Sequence, residues 1–241
     1  MEKNKKILIT ACPRSGTTYI SKFLKRCGRD VTHEHRVGED GIVSWLLTPT
    51  IENVTSIRQR RNFKSIHTDS KAHHMWRPFH WDHPIPTAEF KRDFDVFLHQ
   101  VRDPLKCISS MTTLRDRSVR WTNSYVQYPP FPKPIEEMTL KERDDYRLRK
   151  QMYFWYYWNK IGIENSQWHY RLEDLGEGAK SNFCNYLQIE NEVFDKAFNY
   201  VSKSVNRRRS HLRSWSKLRR VDEEMYGKIL ILGKSLGYEC E

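Results

Sequence analysis

The chain has no stretch of about 18 consecutive apolar residues, the length a helix needs to cross a bilayer. Behind the basic start Met1–Lys6 the apolar run is only about four residues long before a polar turn, too short for the core of an export signal. The expectation is therefore a cytoplasmic protein without a membrane span. Cysteine is sparse and scattered: Cys12, Cys27, Cys107, Cys184 and Cys240, an odd number with no C-x-x-C pair. That argues against a disulfide frame or a zinc site, and for free thiols in a reducing compartment. Internal repeats and low-complexity segments are missing as well. What remains, at 241 residues, suits one α/β domain spanning residues 1–241.

Acidic residues are in deficit. With 42 Lys+Arg against 30 Asp+Glu the net charge is +12, which favours anionic partners. Nucleic acid, an anionic membrane surface and a polyanionic nucleotide all satisfy that charge.

The most informative segment is Lys6–Ile20. Ile7–Thr10 reads as a buried strand, Cys12–Gly16 as a tight turn, and Thr17–Cys27 as an amphipathic helix with Gly28 as its stop. In this layout backbone N–H groups and a helix dipole converge on one anion. Gly16 lets the backbone approach closely, and Arg14 offers a planar, permanently charged fork. The ATP-type loop G-x-x-x-x-G-K-[ST] is absent: no Gly opens the turn, and Thr17 stands where that loop has Lys.

Further along, Asp30–His33 reads as a strand, Ile42–Leu47 as a short helix and Phe63–Thr68 as a strand. Phe94–Val101 is the strongest strand in the middle, with Asp103-Pro104 opening a helix. A long helix is expected over about Ile135–Ile161, with Phe154, Tyr157, Trp158 and Ile161 as core, and a strand over Gln167–Arg171. Helices are expected over Ser181–Leu187, Val193–Val201 and Val221–Leu236. This alternation predicts a three-layer α/β/α fold with a central, mainly parallel sheet, and a ligand beyond the carboxyl ends of the strands.

A second anion turn follows the middle strand. Arg102 stands at the strand end, and Ser109 and Ser110 lie two helical turns on, so a helix start, an Arg fork and a hydroxyl come together. The simpler alternative is a strand-to-helix turn in which Asp103 caps the helix. Arg207, Arg208 and Arg209 form a third basic cluster, read either as a nucleotide contact or as a solvated turn.

Pro13-Arg14-Ser15-Gly16-Thr17-Thr18 resembles the 5′-phosphosulfate loop of sulfotransferases that use 3′-phosphoadenosine 5′-phosphosulfate (PAPS), in the Arg form of the protein-tyrosine and bacterial branches. Arg102 and Ser110 fall on the two ligand positions of that family's 3′-phosphate motif. Tyr170–Leu175 is similar to its Tyr-x-(x)-Glu-Asp-Leu element, and Asn206–His211 to its basic C-terminal loop, here without the usual Gly. The resemblance implies a P-loop NTPase-like sulfotransferase fold. It also implies PAPS as donor, 3′-phosphoadenosine 5′-phosphate (PAP) as product, and no required metal. It assigns the 5′-phosphate to Pro13–Thr18, the sulfuryl group to Arg14, and the 3′-phosphate to Arg102, Ser110 and the Arg207–Arg209 cluster.

Sulfuryl transfer needs in-line positioning, charge stabilisation and a base for the acceptor proton. Glu34 is the first candidate base, by likeness to a bacterial pattern; His67 is the second, by likeness to the cytosolic branch; His33 is the third. His73, His74, His80 and His83 match no zinc-ligand spacing. The expected acceptor is a small molecule or a glycan, with a lipid or alcohol and a tyrosine side chain also open, and no specific nucleic acid is expected. Two other functions remain in view. A P-loop-type kinase with an atypical loop predicts Mg²⁺-dependent ATP binding. A nucleic-acid module predicts salt-dependent polyanion binding that ignores Arg14.

Overall fold

The computed structural model describes residues 5–33, 38–45, 94–113, 137–201 and 212–241. Five strands run through them: β1 (Ile7–Ala11), β2 (Val31–His33), β3 (Gly41–Ser44), β4 (Val96–Val101) and β5 (Trp168–Arg171). They form one sheet in the order β2-β3-β1-β4-β5, and every pair is parallel. β1 lies in the middle and is buried along its whole length. The chain builds one half of the sheet on one side of β1 and then crosses to the other. A crevice opens beyond the carboxyl end of a strand where the order reverses in this way.

Seven α-helices are present among the described residues. They are α1 (Thr17–Arg26), α2 (Pro104–Met111), α3 (Leu140–Asn165), α4 (Lys180–Leu187), α5 (Asn191–Tyr200), α6 (Trp215–Val221) and α7 (Glu223–Ser235). α1, α4 and α5 cover one face of the sheet, where Ile7, Ile9, Phe23, Phe183 and Phe194 share a core. α2, α3, α6 and α7 cover the other, around Cys12, Val101, Trp155, Trp158 and Leu218. The three-layer α/β/α fold with a parallel sheet is thus the one expected. No helix of the described residues is long and apolar enough to cross a membrane, and all five cysteines are free thiols.

The segment expected as a helix over Ile42–Leu47 is instead the strand β3, starting at Gly41. Short apolar runs carry no period that separates helix from strand. Two β-branched residues, Ile42 and Val43, settle between β1 and β2. Gly41 has φ +127°, and a Cβ there would come within 1.9 Å of the Ile7 carbonyl oxygen, so only glycine fits. α6 was not foreseen: it is short, and its sequence WSKLRRV is mostly polar. The expected strand over Phe63–Thr68 and the histidines His73, His74, His80 and His83 lie outside the described residues.

α3 is the main brace behind the sheet. A capping box between Thr139 and Glu142 starts it. Phe154 and Trp158 are fully buried, as expected of the core, whereas Tyr157 and Ile161 are half-buried. The Trp158 indole N–H donates to the Ala11 carbonyl at 3.0 Å, which fixes the end of β1. Asn159 Nδ2 donates to Trp155 O at 2.7 Å, so its Oδ1, 3.0 Å from His99 Nε2, accepts from that ring nitrogen. His99 Nδ1 is then left to accept from the Thr10 hydroxyl at 2.8 Å. Burial holds the His99 pKa down at about 4, with the Asn159 bond raising it and His169 lowering it. The ring is neutral at neutral pH.

Candidate functional site

β1 ends in the turn Cys12–Gly16. Arg14 has φ +70° and Gly16 φ +91°. Left-handed residues alternating along a turn aim successive N–H groups into one concavity that suits an anion. Gly16 is the N-cap of α1; the cap has no side-chain hydrogen bond, and the first helical turn holds no acidic residue. The N–H groups of Gly16 and Thr17 have no partner among the described residues. The end of α1 is therefore electropositive and open.

The turn is held from below by side chains of β4 and β5. Gln100 is fully buried in β4; its amide N–H donates to the Ser15 carbonyl, and its oxygen accepts from the Tyr170 hydroxyl at 2.8 Å. Leu172 lies against Gly16, where a Cβ would meet its Cδ2 at 2.6 Å. Cys107 contributes too: its thiol donates to the Pro13 carbonyl at 3.3 Å and lies 3.5 Å from Ser15 Oγ. Burial disfavours its thiolate. Hydrogen bonds from Cys12 and Ser15 and the charge of Arg102 outweigh that burial and lower the pKa.

Arg14 and Arg102 meet. Arg102 Nη1 donates to the Arg14 carbonyl at 2.7 Å, and Arg14 Nε donates to Ser110 Oγ at 3.0 Å. The rest of the Arg102 fork, Nε and Nη2, has no partner among the described residues. β1 and β4 are neighbours in register from Ile7↔Val96 to Ala11↔Gln100. Two motifs some ninety residues apart in the chain are thus one constellation at adjacent strand ends.

Of the two readings of the turn before α2, the helix cap is present. Asp103 caps the helix through Lys106 N at 2.8 Å. Glu173 Oε1 accepts from the Asp103 N–H at 3.2 Å, and Tyr238 donates to Glu173 Oε2 at 3.0 Å. Two carboxylates already sit at this helix end, so it is not an open anion cradle. Arg102 donates to the first loop and Ser110 accepts from it, through the two bonds with Arg14. Ser109 accepts from the Arg213 N–H at 2.8 Å, which anchors the chain just past Arg207–Arg209 beside α2.

The roles expected within the first loop also shift. The Ser15 N–H donates to Cys12 O at 3.1 Å, and the Ser15 side chain is fully buried, so Ser15 supports the turn and leaves the N–H groups to Gly16 and Thr17. The Thr17 hydroxyl lies 2.9 Å from His33 Nε2, which sets one of the three candidate bases directly against the start of α1. Pro13, Arg14, Ser15, Gly16, Thr17, Thr18, Arg102, Ser110 and His33 are therefore assembled at one edge of the sheet. Glu34, His67, Arg207, Arg208 and Arg209 lie outside the described residues. Gln100 was missed in the sequence, although a glutamine inside the apolar run VFLHQV was a signal for it: a buried amide needs partners.

No protein-family model matches the chain, and no characterised protein is similar enough to match it.

Proposed function

We propose that the chain moves a sulfuryl group from PAPS to a hydroxyl or amine acceptor, as a sulfotransferase with a P-loop-like architecture. One observation carries the reading: the Arg102–Arg14–Ser110 junction, which joins two anion-type turns at the ends of neighbouring strands. A nucleotide with phosphates on both sides of its ribose is the ligand that uses both turns. Gly16 and Thr17 N–H groups with the α1 dipole take the 5′-phosphate. Arg14 steadies the sulfuryl and bridging oxygens, where charge develops in transfer. Arg102 and Ser110 take the 3′-phosphate, with Arg207, Arg208 and Arg209 supplementing it. A sulfuryl group carries less charge than a terminal phosphate, so arginines serve where phosphoryl transfer uses a metal.

Of the three base candidates, His33 has support in the geometry, through its contact with Thr17; Glu34 follows it directly in the chain. His33→Gln and Glu34→Gln, assayed with radiolabelled PAPS over a panel of small-molecule and glycan acceptors, separate the two. The base variant keeps PAP binding and loses turnover. Normal turnover in both moves the role to His67. Failure of the intact, folded protein to bind PAP ends the sulfotransferase reading.

The kinase alternative has less in its favour. Thr17 stands at the position of the phosphate-binding Lys, and its hydroxyl is engaged by His33. That reading requires Mg²⁺-dependent ATP binding.

A further inference from the structure

Consecutive carbonyls of the turn after β1 are each held by a side chain from β4, α2 or the junction between them. The Cys107 thiol donates to Pro13 O, Arg102 Nη1 to Arg14 O and the Gln100 amide to Ser15 O. In a trans peptide the C=O and the N–H that follows it point in opposite directions. A donor placed under a carbonyl therefore also decides where the next N–H points.

The peptides of the turn are not held equally. The Arg14–Ser15 peptide is fixed on both sides, by Arg102 on its oxygen and by the Ser15 N–H bond to Cys12 O at 3.1 Å. The Gly16–Thr17 peptide belongs to α1. Gly16 O accepts from the N–H groups of Tyr19 at 2.9 Å and Ile20 at 3.1 Å, so the Thr17 N–H points out of the helix start. The Ser15–Gly16 peptide between them carries the Gly16 N–H, and its one anchor among the described residues is Gln100. This peptide is also the one most able to turn over. Turning it changes ψ of Ser15 and φ of Gly16, and glycine accepts either sign of φ. Turned over, it would present the Ser15 carbonyl to the anion in place of the Gly16 N–H.

The Gln100 amide has one orientation. Ser15 O can only accept, so the amide nitrogen faces it, and the amide oxygen is left to accept from the Tyr170 hydroxyl at 2.8 Å. Burial pushes the Tyr170 pKa up, so the hydroxyl keeps the proton it donates. Both side chains are buried. A Cβ on Gly16 would lie 3.5 Å from Gln100 Nε2, which puts the amide directly against the bend. An amide suits the place, because it supplies a donor without burying a charge.

We propose that Gln100 is a positioning residue for the donor nucleotide: with Tyr170 behind it, it holds the Ser15–Gly16 peptide so that the Gly16 N–H faces the 5′-phosphate. Naming that anion the 5′-phosphate rests on the sulfotransferase reading; the orienting role requires only that the turn binds an anion.

The test follows the Gly16 and Thr17 amide resonances of the full ¹⁵N-labelled chain during titration with PAP and, separately, with inorganic phosphate. In the intact protein both resonances are expected to move to saturation. In Gln100→Met, which keeps most of the bulk and removes the amide, Thr17 still moves, Gly16 does not, and affinity falls about tenfold. Tyr170→Phe weakens binding by about threefold in the intact protein and adds nothing in Gln100→Met, because it acts through the amide. An unchanged Gly16 response or affinity in Gln100→Met overturns the proposal. So do additive effects of the two substitutions, and so does joint loss of the Gly16 and Thr17 responses, which marks a collapsed turn. Where Gln100→Met fails to fold, Tyr170→Phe carries the test: a weakening selective for Gly16 supports the proposal and unchanged binding overturns it. Phosphate binding that depends on Gln100, without PAP binding, keeps the positioning role and removes the sulfotransferase reading. PAP binding indifferent to Gln100→Met does the reverse, and binding of neither anion by the intact protein overturns both.

Discussion

The turns after β1 and β4 sit side by side at the carboxyl edge of the sheet, and each leads from a buried strand into a helix. They are built in opposite ways. The first leaves its helix end bare: no acidic side chain, no side-chain cap, left-handed backbone at Arg14 and Gly16, and two N–H groups without partners among the described residues. The second fills its helix end with Asp103 and Glu173 and offers an anion only side chains, Arg102 and Ser110. A backbone cradle is specific for shape and close approach. A side-chain pair is specific for charge. A ligand that spans both turns therefore presents one phosphate to each kind of binding surface.

The largest expected effect concerns what the two turns share. Their strands are joined by Thr10 and His99, and the ring of His99 is neutral in the fold. Its pKa falls from the ordinary 6.5 to about 4, so the unfolded chain binds the proton more readily. Stability is full above pH 6.5, declines as pH drops toward 4, and levels off below, with a loss of roughly 3 kcal/mol. Urea titrations across that range check the sign; His99→Gln should flatten this component of the profile. Next comes charge at the second turn. Arg102→Ala removes a charge-assisted contact of about 1.5–3 kcal/mol, hence about 10- to 100-fold in PAP affinity by calorimetry. An Arg102→Ala variant that binds PAP as tightly as the intact protein would break the contrast between the turns.

Gly16→Ala probes the backbone cradle. The left-handed conformation penalises a side chain by about 1–2 kcal/mol, and the new Cβ meets Leu172. Thermal unfolding should register that loss together with weaker binding of inorganic phosphate. The smallest effect is expected at Asp103→Ala, which loses a helix cap of about 1 kcal/mol yet keeps anion affinity, because the start of α2 is not where the anion binds. A large loss of PAP affinity there would mean the two turns work alike after all.

The sequence revealed this contrast only in part. The first loop was legible because strand, turn and helix are contiguous and Gly16 marks the bend. α3, α4, α5 and α7 were legible from their periodicity. β3 was not, since Ile42-Val43 is too short to show a period. Both turns looked like anion sites because the local pattern is the same. What distinguishes them is Glu173, seventy residues from Asp103 in the chain and set over α2 by Tyr238 from the last few residues. No local reading finds such a contact. Gln100 illustrates the same limit: the apolar run around it marks it as buried, while its bonds to Ser15 and Tyr170 are visible only once the chain is folded.

The central claim is that the two turns hold the two phosphates of one nucleotide. Calorimetry of PAP against 5′-AMP, on the intact protein and on Arg102→Ala, tests it most directly. The intact protein is expected to prefer PAP, and Arg102→Ala to lose most of that preference while still binding 5′-AMP. Equal affinity for PAP and 5′-AMP in the intact protein, or a preference that survives Arg102→Ala, would contradict it.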